Sequence, residues 1–255
     1  MFEPTLTNIT SDHIKRWALM KEFIEQWHEV KFFNLPISYN GDIPMSDGIL
    51  RCLQFLAELQ FTQIATINKK RYSLAKYIYH DMELCFGYDE DFEALLLFKQ
   101  NPTRPIYWGI DKSNMMENDP NLVVIYAEET VKNYIKKPYQ NNEITLTEYF
   151  IRNLMIDSSK PKLKKFATWI RLDEISNIIK ELEMIFKSKL ELPNAICFEK
   201  ENALAVLELN EATKDMYILH ISVFEQDNAF MKEIDSIFGD EKVKLWSDNW
   251  SRYKL

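Results

Sequence analysis

The sequence predicts an α+β protein with a helical N-terminal part, small antiparallel sheets with packed helices, and a second, smaller α+β unit at the C-terminus. Three observations predict it. Apolar residues recur at helical spacing through the opening third. From Gly87 onward the chain breaks into short apolar runs divided by Pro102, Pro105 and the Asn118-Asp119-Pro120 triplet. Beyond Pro161 a fresh helical pattern leads into three more strand candidates.

The first helix covers residues 13–30, capped by Ser11 or Asp12, with Ile14, Trp17, Phe23, Ile24 and Trp27 on one broad face. Pro36 and Asn40-Gly41 mark a turn. A second helix begins at Ser46-Asp47 and carries Ile49, Leu50, Leu53, Phe55 and Leu56. A third is expected over residues 71–86 from Leu74, Tyr77, Ile78 and Met82. Strands are expected over 92–98, 106–110 and 122–126, and a helix over 143–156 carrying Leu146, Tyr149, Phe150 and Leu154.

Pro161 lies among Lys160, Lys162, Lys164 and Lys165, and this basic stretch reads as the internal boundary. It divides the chain into residues 1–160 and a smaller unit, 161–255, which could share one core with the first. In the second unit Leu172, Ile175, Ile178, Ile179, Leu182, Ile185 and Phe186 define an amphipathic helix. Strands follow over 195–199, 203–209 and 216–224, then a helix over 227–238 ending at Gly239, a natural C′ residue.

Bulk composition narrows the function classes. The chain has 255 residues, enough to bury roughly 70–75% of its unfolded surface. Its 46% hydrophobic and 27% charged content is ordinary for a globular protein. No run approaches the roughly 20 apolar residues of a membrane span, and the Met1-Phe2-Glu3-Pro4 start does not read as a secretory signal. Cys52, Cys85 and Cys197 are few, odd in number and flanked by apolar residues, so they read as free thiols of a cytoplasmic protein. A net charge of −8 disfavours nucleic acid as a direct ligand and suits a basic protein partner. Plain solubility explains such a charge equally well.

Signatures of catalysis are missing. With five glycines the sequence has neither phosphate-loop pattern, and H-E-x-x-H, C-x-x-C and G-x-S-x-G do not occur. The four histidines, His13, His28, His80 and His220, lack ligand spacing. His80-Asp81 is the nearest thing to an acid–base pair, but neighbours on a helix point about 100° apart. No metal or cofactor is expected. Two features stand out as candidate partner-binding residues. Residues 81–93 hold six acids and no Lys or Arg, among them Asp89, Glu90, Asp91 and Glu93. The order does not match a calcium loop, so the choice lies between a solvated acidic loop and a recognition patch. Tyr107-Trp108, beside Gly109, could line a pocket or simply fill the core.

The run Ile106-Tyr107-Trp108-Gly109-Ile110-Asp111, followed by Asn118-Asp119-Pro120, resembles the SUKH-type superfamily of bacterial immunity proteins, whose members carry "v-x-W-G-I" and then "D-P". The helix at Leu146-Thr147-Glu148-Tyr149-Phe150 is similar to the family's "s-L-s-x-F-L", and Asn202-Ala203-Leu204-Ala205 and residues 230–239 fit the later part. The likeness spans most of residues 70–240. Leu35-Pro36 with Asn40-Gly41 match the family's entry loosely, and residues 98–105 replace the acidic-asparagine stretch that usually precedes W-G-I.

The resemblance implies an antitoxin: a protein that binds and neutralises a cognate protein toxin, for instance a nuclease or other contact-delivered effector domain. An acidic partner would suit the basic groove of a nuclease. Two other expectations stay open, an adaptor that binds a non-toxin partner and an enzyme whose site is assembled from scattered residues.

Overall fold

A computed structural model describes residues 12–28, 30–32, 42–67, 70–73, 83–100, 105–127, 134–138, 144–156, 163–186, 188–210, 215–224 and 228–238. Among them are five α-helices and antiparallel sheets, so the fold is α+β. The chain forms two compact units, residues 10–150 and residues 151–255 together with 1–9. The expected boundary at Pro161 lies outside the described residues; the division itself falls inside a helix, between Phe150 and Ile151.

In the first unit α1 (His13–His28) begins where Asp12 Oδ1 accepts from the amides of Ile14 and Lys15. Helix α2 (Asp47–Phe61) is capped by Ser46, whose Oγ accepts from Ile49 N at 3.2 Å. A hairpin of β1 (Gln63–Ile67) and β2 (Lys70–Ser73) follows. Then come β3 (Glu83–Asp89), β4 (Ala94–Gln100), β5 (Ile106–Asp111), β6 (Leu122–Ala127) and β7 (Tyr134–Pro138), paired in sequence order as a five-stranded antiparallel meander.

Helix α3 (Leu146–Ile156) opens with a capping box: Glu148 Oε2 accepts from Thr145 N at 3.0 Å and Thr145 Oγ1 from Glu148 N at 3.4 Å. Its Tyr149 and Phe150 meet Phe98 of β4, and Phe150 also meets Trp17 of α1 and Phe55 of α2. These rings place the three helices on one face of the meander, where the core sits.

The helix expected over residues 71–86 is corrected. Residues 71–73 lie in β2 and 83–86 in β3, while 74–82, and His80-Asp81 with them, fall outside the described residues. Leu74, Tyr77, Ile78 and Met82, which carried the helical spacing, all lie in that stretch.

In the second unit β8 (Leu163–Arg171) precedes α4 (Ile175–Ile185), and β9 (Ser188–Leu192), β10 (Ala195–Lys200), β11 (Ala203–Leu209) and β12 (Met216–Phe224) follow. The sheet order is β8-β12-β11-β10-β9, all antiparallel, and α5 (Asn228–Phe238) completes the unit. Lys164 and Lys165 of the basic stretch lie in β8. One face of this sheet buries Ile170, Phe198, Ala205, Leu207 and Ile221 against Leu182 of α4 and Phe230 and Ile234 of α5.

Candidate functional site

The acidic segment is a turn closing the β3–β4 hairpin. Asp89 ends β3, residues 90–93 form the turn, and Ala94 begins β4. Asp89 Oδ1 accepts from Phe92 N at 3.0 Å, so this acid organises the turn. Glu90, Asp91 and Glu93 are exposed, whereas Phe92 between them is buried. Phe92 lies over the meander face opposite the helices, 5.0 Å from the Tyr134 ring and 5.5 Å from the Tyr107 ring. Beneath and around it are Ala94, Leu96, Val123 and Ile125, with Cys85 alongside.

Two lysines fasten the turn. Lys136 Nζ donates to Phe92 O at 2.9 Å and pairs with Asp111 at 2.6 Å. Lys112 Nζ lies 3.3 Å from Glu93 Oε1, and Lys112 N donates to Glu93 O at 3.0 Å. Partial burial works against ionisation of Asp111, but hydrogen bonds from Lys136 and Ser113 outweigh it and hold the carboxyl below its ordinary value.

Tyr107 and Trp108 are adjacent but separated by the pleat. Successive strand residues point to opposite faces. Tyr107 joins Phe92 beside the acidic turn. Trp108 pairs across the strands with Phe98 and is buried at 7% exposure, its indole N–H without an acceptor among the described residues. The structure therefore brings Asp89, Glu90, Asp91, Glu93 and Tyr107 together and leaves Trp108 out of that group. Between the two, Gly109 has a backbone reason to be glycine: a Cβ there would sit 2.5 Å from Leu95 O.

The Asn118-Asp119-Pro120 loop proves to be an anchor. Asp119 Oδ1 accepts from Thr147 N at 2.9 Å, and its Oδ2 accepts from Thr147 Oγ1 at 2.6 Å and Arg16 Nη1 at 3.0 Å. Ser46 adds a bond from its Oγ to Glu117 O at 2.6 Å, and a Cβ on Gly48 would collide with Asn118 O at 1.7 Å. The loop is thus fixed to α1, α2 and α3 at once.

A second polar cluster, missed in the sequence, lies in the second unit. Glu208 of β11 is 3.2 Å from His220 Nε2 on β12 and 3.6 Å from Arg152 on α3. Burial opposes ionisation of Glu208, yet the His220 hydrogen bond and the charges of His220 and Arg152 prevail and lower its pKa. Glu208 and His220 lie 12 positions apart on neighbouring strands, and Arg152 comes 56 positions before Glu208, so no spacing signal connects them.

The thiols are unsuited to nucleophilic work. Burial pushes Cys85 up to about 11 and Cys197 up to about 12, and burial with the charge of Asp119 also raises Cys52 well above its ordinary value. Among the described residues no group of three or more His, Cys, Asp or Glu could hold a metal ion. No helix among them is long and apolar enough to cross a membrane.

No protein-family model, no curated protein and no solved structure matches this chain.

Proposed function

We propose that this chain is an immunity protein, which neutralises a cognate bacterial toxin by direct contact and carries out no chemistry of its own. The observation that supports this reading is the acidic turn. Glu90, Asp91 and Glu93 are presented outward on a turn that Phe92 and Lys136 hold against the sheet. A fixed cluster of carboxylates loses little freedom on binding and attracts a basic protein surface from a distance. The likeness to immunity proteins at Trp108-Gly109-Ile110 and Asp119-Pro120 points the same way.

Co-expression with the product of the neighbouring reading frame tests the proposal. The expected outcome is a complex that survives size-exclusion chromatography, together with growth of cells in which that product alone is toxic. Co-purification without any effect on growth would replace the antitoxin with an adaptor of the same binding type.

A further inference from the structure

We propose that residues 90–93 form a strap with a docked and a released state, and that Lys136 is the latch that keeps it docked. Phe92 is the single buried side chain in that turn, and it covers a helix-opposed patch of Ala94, Leu96, Val123 and Ile125. Its other ties are local to the hairpin end: Asp89 Oδ1 accepts from Phe92 N, and Lys112 binds Glu93 through its amide and its ammonium. Its internal backbone bond, Glu93 N to Glu90 O, is long at 3.4 Å, and Glu93 sits in the left-handed region at φ 46°.

The Lys136 ammonium compensates for both weaknesses. It holds Phe92 O and Asp111 from β7, across the face from the turn. Hairpin ends held by a few side-chain ties open locally, at a free energy well below that of global unfolding, and Lys136 is the tie to the carbonyl of the buried Phe92 from another strand. Release would swing Phe92 outward between Asp91 and Glu93 and uncover the Tyr107 and Tyr134 rings. The strap concerns the free protein and stands whatever macromolecule the carboxylates meet.

Amide hydrogen exchange on the full chain tests it, with Lys136→Met, which keeps the aliphatic stem, and Asp111→Asn, which keeps the Oδ1 acceptor for Ser113 N at 2.9 Å. The expected result in each folded variant is exchange at Phe92, Glu93 and Lys112 faster by at least about tenfold. Amides pairing β5 with β6 should exchange as in the parent. Unchanged exchange at the three turn amides overturns the latch. Equal acceleration through β4, β5 and β6 overturns the strap, because Phe92 is then an ordinary member of the sheet's core.

Discussion

Asp119 gathers donors from two helices onto one carboxylate, and a single substitution shows what that is worth. Asp119→Ala leaves Thr147 N, Thr147 Oγ1 and the Arg16 guanidinium without their half-buried acceptor. The expected loss is about 2–4 kcal/mol, read as a lower urea midpoint at unchanged slope. Gly109→Ala should cost about 1–3 kcal/mol by overpacking, since its methyl would press on Leu95 O. Local chemistry of this kind was half legible in the sequence. Ser46 and Asp12 announce helix starts because a cap acts within three residues. Asp119 announces a turn beside Pro120, but its Arg16 partner is 103 positions away and no local pattern connects them.

Elements were legible where the chain is apolar on both faces and obscure where charged residues interrupt it. Strand β4 reads plainly from Ala94-Leu95-Leu96-Leu97-Phe98. The short strand β9, Ser188-Lys189-Leu190-Glu191-Leu192, alternates with charged residues at the sheet edge and hides beside a strong helix. Strand β8 begins Leu163-Lys164-Lys165, and its lysines mimic a linker. Between β11 and β12 the Glu208–His220 contact gives the second sheet an acid-sensitive tie. The pKa of Glu208 is depressed below its ordinary 4.5. The stabilisation is therefore present above that value and is lost as the pH falls through the folded pKa. Glu208→Gln should lower stability at neutral pH by roughly 1–2 kcal/mol, and its stability should fall less than the parent's between about pH 5 and pH 3. Urea titrations at several pH values measure both effects.

At the scale of the whole molecule, the α+β class followed from periodicity alone, because helical and strand spacing survive any uncertainty in the partner of each element. The candidate surface was legible only in part: the acids could be counted, but not their fastening by Phe92 and Lys136 or the turning away of Trp108. Charge is also a property of the whole chain, and it supplies the last prediction. The net charge of −8 favours approach of a basic partner everywhere, whereas the turn would add a local field at the contact. The double variant Glu90→Lys/Asp91→Lys separates the two. Each reversal adds two charges, taking −8 to −4, and both side chains are exposed, so the melting temperature should hardly move. Asp89 is left alone because it organises the turn through Phe92 N. A control with one half-buried and one exposed acid of α4 reversed, Glu181→Lys/Glu183→Lys, reaches the same net charge on the second unit. Association with the partner should slow by about tenfold or more at low salt for the turn variant, with a weaker dependence on ionic strength, and much less for the control. Equal slowing in both would show that the partner reads the charge of the molecule rather than the turn.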